Sequence, residues 1–283
     1  MIDHAPVDGP MTEDTRLAAD LAVEAGRILL DLRARADAGA IAGSEADLKA
    51  AGDAASQDYL AAALEEARPD DVVLSEEAVD DPRRLRAERV WIIDPLDGTR
   101  EFAERAEDGQ WRDDFAVHLA LWHRGRGLTD AAVALPGRGR VHSSGRPDGR
   151  ERSDAREVET GQRPLRLAIS RSRPPAIVDR LAACAAVDLV PMGSAGVKAM
   201  AVVAGTVDAY VHAGGQYEWD SAAPVAVAMA AGMIASHLDG TPLTFNKRDP
   251  WSPDLLVCQP GLAAYLGGLL RTAGLEDVRD GRR

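Results

Sequence analysis

The run Val90 to Arg100, VWIIDPLDGTR, holds the residues of this chain best suited to chemistry. An apolar segment delivers Asp94, Pro95 stiffens the backbone after it, and Asp97-Gly98-Thr99 completes the motif. Two aspartates three residues apart on a tight turn can converge on one cation, joined by backbone carbonyls between them. Gly98 lets the backbone approach a ligand closely, and Thr99 offers a hydroxyl and an N–H to a phosphate. Hard oxygen donors of this kind suit Mg²⁺, which prefers an octahedral shell and keeps several waters. A bare DxxDG is more often an Asp-rich turn closed by its own side chains. Two further acidic features bear on the choice. Leu74-Ser75-Glu76-Glu77 sets adjacent glutamates at the end of another short apolar run, where a solvated pair would be ordinary. Trp219-Asp220-Ser221 sets an aspartate just ahead of a helix, where capping would be its ordinary role.

Elements that could position these acids are legible in the hydrophobic pattern. Thr15 to Ala36 repeats Leu17, Leu21, Ile28 and Leu32 at helical spacing, with Thr12 or Asp14 placed to cap it. A second helix is expected from about Ser56 to Arg68, ended by Pro69. Short strands come next at Val72–Leu74, Val90–Ile93, Phe115–Trp122 and Ala131–Leu135; in the third, Phe115, Val117, Leu119 and Leu121 alternate with smaller or more polar residues. From Ser143 to Pro164 the chain turns Arg-, Asp- and Gly-rich, as an exposed hairpin tip or linker would. It mixes both charge signs and lacks aromatics, so a nucleic-acid arm is the weaker alternative. Strands and helices then alternate: Leu165–Ile169, Ala176–Ala186, Val187–Val190, Gly196–Ala204, Val207–Val211, Ser221–Ala231 and Leu255–Val257. The organisation expected is an α+β lobe over 1–142, a connection over 143–164 and an α/β lobe over 165–283.

Composition narrows the function classes. The 283 residues carry 46 acidic and 33 basic side chains, a formal net charge of −13, with 46% hydrophobic content. That is a folded globular composition whose field repels nucleic acid and anionic membrane, so neither is expected as a partner. Cys184 and Cys258 have no CxxC spacing and are expected as buried, reduced thiols. With no basic n-region or apolar h-region at the start of the chain, a cytoplasmic enzyme is the expectation. His118 and His212 lack metal-motif spacing and are expected as packed strand residues.

Together SEE (75–77), WIIDPLDGT (91–99) and EWD (218–220), in this order, resemble the inositol monophosphatase superfamily of Mg²⁺-dependent, lithium-sensitive phosphatases. The resemblance runs from about Leu17 to Val257. Within the superfamily, LSEEAVDD, DPLDGTREF, DDFAVHLALW and HAGGQYEWDSAAP are most similar to actinobacterial CysQ-type 3′(2′),5′-bisphosphate nucleotidases. The resemblance implies a layered αβαβα sugar-phosphatase fold and two or three Mg²⁺, with Li⁺ inhibitory. One ion would be held by Glu76, Asp94 and the carbonyl of Leu96. A second would be shared by Asp94, Asp97 and Asp220, and a third would sit near Glu76 and Asp53. Metal ions about 3.5–4 Å apart can clamp a phosphate and acidify water. Thr99 and Asp53 would orient and deprotonate that water, with Glu76 beside them, while N–H groups of Gly98 and Thr99 hold phosphate oxygens.

Substrate contacts are implied at Gly193, Ser194 and Ala195, ahead of a helix with free N–H groups. Lys198 is implied as a phosphate-binding lysine, against the alternative of a surface helix lysine; Ser170-Arg171-Ser172 could touch a second phosphate, with an ordinary strand-end loop as the equal alternative. The chain departs from the family in DLKAAGD (47–53) and in a long acidic insertion over 103–114, expected as a solvent loop. The function implied is removal of the 3′-phosphate of 3′-phosphoadenosine 5′-phosphate, and of its 5′-phosphosulfate analogue. The alternatives are an inositol-1-phosphate or fructose-1,6-bisphosphate phosphatase, or a non-catalytic metal- or nucleotide-binding relative. The oligomeric state stays open, with a homodimer the candidate assembly.

Overall fold

The computed structural model describes residues 11–40, 44–145 and 155–275. Two helices lead, α1 (Glu13–Asp37) and α2 (Glu45–Ala67), each opened by a hydroxyl cap, Thr12 and Ser44. The second starts well ahead of the expected Ser56, because Ser44 and Asp47 close a reciprocal capping box and an Ala-rich run continues it. This places Asp53 on a helix.

Strands β1 (Val72–Ser75), β2 (Arg89–Asp97), β3 (Ala116–His123), β4 (Gly127–Leu135) and β5 (Arg140–Ser143) form the first sheet, in chain order. Only β1 and β2 are parallel. The short helix α3 (Thr99–Ala103) comes directly after β2. A second sheet, ordered β7-β6-β8-β10-β9, is built from β6 (Leu165–Ser170), β7 (Val187–Met192), β8 (Ala209–Tyr217), β9 (Ile234–Ser236) and β10 (Trp251–Cys258). Helices α4 (Ala155–Glu159), α5 (Ile177–Cys184), α6 (Ala195–Val203), α7 (Glu218–Ala230) and α8 (Ala263–Thr272) complete the described chain.

Three apolar clusters define the layers. Trp91, Ile93, Phe115, Val117, Leu119 and Leu121 face α1 and α2. Val90, Ile92, Ala116, Ala120 and Val133, from the opposite face of the same sheet, join α6 and α7 and reach Tyr210 and Val257 of the second sheet. The far face of that sheet, Leu167, Ile169, Val211 and Leu256, is covered by α5 and α8. The alternation of a strand, period two, thus sorts one β2 into two cores. The order is helix, sheet, helix, sheet, helix, the layered αβαβα fold.

Some expectations change. Within the stretch expected as an exposed connection, 146–154 lies outside the described residues, while 155–159 is helical and Val158 is buried in the third cluster. Cys258 is buried as expected, but Cys184, the last residue of α5, is exposed. The 103–114 insertion is not a free solvent loop. Arg33, buried on α1, donates to the carbonyls of Glu101, Phe102 and Arg112 and lies over the rings of Phe102, Trp111 and Phe115.

Candidate active site

Strand β2 runs through DPLD without the turn expected there; the chain turns at Gly98, whose φ of +90° only glycine adopts freely. In a regular strand, residues three apart would face opposite sides of the sheet. Here Asp94 pairs with His118 and Asp97 with Ala116, so three steps along β2 match two along β3. This bulge, at a proline that has no N–H to donate, turns Asp94 and Asp97 to the same face. That face is the middle helical layer, where α7 brings Asp220. Oxygens of Asp94, Asp97 and Asp220 lie within 4.8 Å of one another.

Each carboxylate is held from outside the cluster. Asp94 Oδ1 accepts the Leu96 N–H at 3.0 Å, while its Oδ2 is buried and has no hydrogen-bond partner. Asp97 Oδ2 accepts the Gly196 N–H at 2.8 Å and the Ser194 hydroxyl. Asp220 Oδ2 accepts the Tyr217 N–H at 2.6 Å. Helix α7 begins at Glu218, so Asp220 sits inside its first turn and not at the expected cap position. Buried His118 lies behind the cluster. Its Nδ1 is 3.2 Å from the Trp219 carbonyl, tying β3 to α7, and its Nε2 is 3.2 Å from Asp97 Oδ2.

The electrostatics are those of crowded acids. Burial, then Glu76 and Asp97, raises the pKa of Asp94 well above the usual carboxylate range. Burial, then Asp97, pushes Asp220 up to about 7. Glu76 reaches about 8, from burial and then from Asp220, Asp97, Glu77 and Asp53. More than a third of this residue remains accessible, because its carboxylate is packed among protein groups yet opens to the cavity. Among the described residues no lysine or arginine forms an ion pair with any of the four. An orphaned buried oxygen and converging carboxylates that no lysine or arginine pairs among the described residues are what a hard divalent cation fits.

Of the residues singled out from the sequence for metal or substrate, all but Asp53 and Arg171 line one cavity of about 740 Å³. Asp53 stands behind Thr99, whose hydroxyl lies 3.3 Å from Asp53 Oδ1 and 3.1 Å from the Leu96 carbonyl. Burial, then Glu77, raises Asp53 to about 6, against the Thr99 hydrogen bond. The loop before α6 differs from expectation. Its N–H groups are largely engaged within the protein: Gly193 on Asp114 at 2.7 Å, Gly196 on Asp97, and Val197 on Ser194 Oγ at 3.1 Å. Ser194 holds a positive φ of 47°, a strain maintained by these bonds. Lys198 is no surface lysine. It is buried, donates to the Gly193 and Ser194 carbonyls at 3.1 and 2.6 Å, and still borders the cavity. Burial lowers its pKa.

Arg171, expected near a second phosphate, is instead paired with Glu101 at 2.8 Å and with Glu104, off the cavity wall. Arg173 lines the cavity in its place. Both belong to one SRSR run, and the chain's direction after β6, invisible to spacing, decides which arginine faces inward. Sequence reasoning also missed Glu218. It is buried beside Asp220, accepts the Asn246 and Lys247 N–H groups at 2.6 and 2.9 Å, and anchors the start of α7.

Comparison with known proteins shows the family. The model of the inositol monophosphatase family matches residues 11–268. A 3′-phosphoadenosine 5′-phosphate phosphatase of Mycobacterium leprae is 49% identical over 269 residues, covering 91% of this chain and 93% of the relative. The 3′(2′),5′-bisphosphate nucleotidase CysQ of Escherichia coli is 31% identical over 206 residues, covering 70% and 80%. In fold, inositol monophosphatase II of Staphylococcus aureus superimposes with a TM-score of 0.71 at 21% identity, covering 89% of this chain and 93% of that one. With the family model and a 49% identical relative each matching nearly the whole length, the chain belongs to the inositol monophosphatase family.

Proposed function

We propose that this protein is a Mg²⁺-dependent phosphomonoesterase that hydrolyses the 3′-phosphate of 3′-phosphoadenosine 5′-phosphate, giving AMP and phosphate, and accepts the 5′-phosphosulfate analogue. The observation that carries the reading is the convergence of Asp94, Asp97 and Asp220 in a cavity that Lys198 and Arg173 also line. The names of the mycobacterial and enterobacterial relatives support the choice of substrate.

Asp94, Asp97, Asp220, Glu76 and the Leu96 carbonyl would hold the metal. When bound, Mg²⁺ supplies positive charge against the phosphate oxygens and makes water more acidic. The chain's own groups do the rest. Thr99, fixed by Asp53 and the Leu96 carbonyl, accepts a hydrogen bond from the attacking water and sets its line of approach. Asp53, ionised above about pH 6, takes the proton through Thr99. Backbone N–H groups of Gly98 and Thr99 receive phosphate oxygens, and Lys198 and Arg173 supply the countercharge for the second phosphate. Glu101 and Asp114 position the 193–194 loop; a Cβ on Gly193 would meet Glu101 at 2.3 Å. The same reading places the enzyme in the cytoplasm, in keeping with two free cysteines. No helix among the described residues is long and apolar enough to cross a membrane.

The test is phosphate release from 3′-phosphoadenosine 5′-phosphate, inositol 1-phosphate and fructose 1,6-bisphosphate with Mg²⁺, with and without Li⁺. Fastest turnover of the bisphosphate nucleotide, suppressed by Li⁺, is expected. Preference for either other substrate overturns the substrate assignment. Metal binding without release from any of them overturns the enzymatic one.

A further inference from the structure

The chain has 12 aromatic residues among 283, if Phe, Trp and Tyr are counted. Four of them, Tyr210, Tyr217, Trp219 and Trp251, line the cavity of the carboxylate cluster. A phosphate, a cyclitol or a metal ion needs no such wall. Tyr210 is buried beneath Lys198, whose Nζ lies 5.2 Å from its ring centre. The other three keep some exposure. Tyr217 and Trp219 stack face to face, with centroids 4.7 Å apart and planes 11° from parallel. Trp219 packs on the core behind them, while Tyr217 remains 46% exposed. One ring face of Tyr217 is therefore covered, and its accessible part borders the cavity.

The backbone fixes this arrangement. Tyr217 pairs with Trp251 across β8 and β10, and Gly214 and Gly215 precede it with φ of 107° and 92°. A Cβ on Gly215 would meet Trp251 Nε1 at 2.5 Å, so the glycine is what admits that indole. At Gly214 a Cβ would meet nothing within 4 Å, and the space stays open. The Tyr217 amide is bonded to Asp220, so the ring is carried within one hydrogen bond of the acidic cluster. His212 and Arg173 line the same cavity. An aromatic backed by a second aromatic, rigid and half exposed beside a phosphate-binding centre, is a platform for a flat heteroaromatic ring.

We propose that Tyr217, backed by Trp219, is the specificity-determining residue that stacks on the purine of a nucleotide substrate. This rests on the reading of a nucleotide phosphatase. The platform selects nucleotides over sugar or cyclitol phosphates by recognising the base, apart from the groups that act on phosphate. Its main chain, not its ring, serves Asp220, so replacing the side chain leaves that hydrogen bond available.

The experiment measures binding of AMP and of ribose 5-phosphate to the Mg²⁺-loaded full chain by calorimetry, for wild type, Tyr217→Ala and Tyr217→Phe. Tyr217→Ala should weaken AMP by about 10- to 100-fold and ribose 5-phosphate by less than about twofold, the effect expected for loss of one stacked base. Tyr217→Phe should keep AMP within about twofold of wild type. Equal weakening of both ligands by Tyr217→Ala, or unchanged AMP binding, overturns the proposal. A melting curve for each variant excludes misfolding, and Tyr217→Leu, apolar but not aromatic, serves if the alanine variant fails to fold. Binding needs no turnover, so failure to hydrolyse the bisphosphate overturns the functional reading alone, while base-independent binding overturns the stacking platform alone.

Discussion

Asp94→Asn isolates the electrostatics of the candidate centre. The amide oxygen of the substituted side chain can still accept the Leu96 N–H, and its NH₂ can donate to the acids nearby. Without metal, the native protein must hold Asp94 either ionised or protonated. Ionised, it faces oxygens of Asp97 and Asp220 within 4.8 Å, a repulsion of about 3.5 kcal/mol per charge pair at an effective dielectric constant of about 20. Protonated, it keeps a proton at pH 7 that the unfolded chain, with an ordinary pKa of 3.8, releases. That costs about 1.36 kcal/mol per pH unit above 3.8, roughly 4 kcal/mol at pH 7. Because the folded pKa is raised, this penalty is absent below about pH 4 and grows as pH rises. Asparagine removes it.

In EDTA at pH 7, the variant should thus be about 2–4 kcal/mol more stable than wild type, roughly 4–8 °C in Tm for a chain of this size, and the gain should shrink towards pH 5. In saturating Mg²⁺ that advantage should shrink or vanish. The wild type gains about 2.7 kcal/mol at 100-fold excess over its Kd, and the variant gains little. Turnover should fall at least about a hundredfold. Scanning calorimetry of both proteins from pH 5 to 8, in EDTA and in Mg²⁺, makes the test. A variant less stable than wild type in EDTA at pH 7, or equally stabilised by Mg²⁺, would refute the reasoning.

The geometry gives three other expected outcomes. Asp53→Asn should lower kcat by about 10²–10⁴ and flatten the acidic limb of the rate profile, which in wild type should fall below about pH 6; an unchanged limb assigns it to another group. Arg173→Ala should raise KM for the bisphosphate with little change in Tm, whereas Arg171→Ala should chiefly lower Tm, since it frees Glu101 and Glu104; steady-state kinetics with melting curves separate the two. Lys198→Met should raise KM for the bisphosphate more than for inositol 1-phosphate. It should also destabilise the fold by about 1–3 kcal/mol, because the Gly193 and Ser194 carbonyls lose their donor, as denaturant titration would measure.

The site was legible from the sequence to the extent that its chemistry is carried by residue type. Five acids and a threonine announced a hard cation and a phosphate, and strand alternation in Phe115 to Leu121 gave the face that packs on α1 and α2. Spacing misled where direction mattered. DPLD suggested a turn, yet a β-bulge keeps it in a strand while bringing both aspartates to one side. Lys198 suggested either a ligand contact or a surface position; the helix that carries it lies between two sheets and buries it.

What the sequence by itself determined was the set of candidate donors, the order of the motifs and the alternation that builds two sheets, because these are properties of neighbouring residues. The convergence of Asp220 on Asp94 and Asp97 was decided only by tertiary structure, and so were the choice of Arg173 over Arg171, the burial of Lys198 and the backing of Tyr217 by Trp219. Each depends on how far-separated segments pack. A side chain's chemistry is local, but what it faces is set by the layer into which its element is folded.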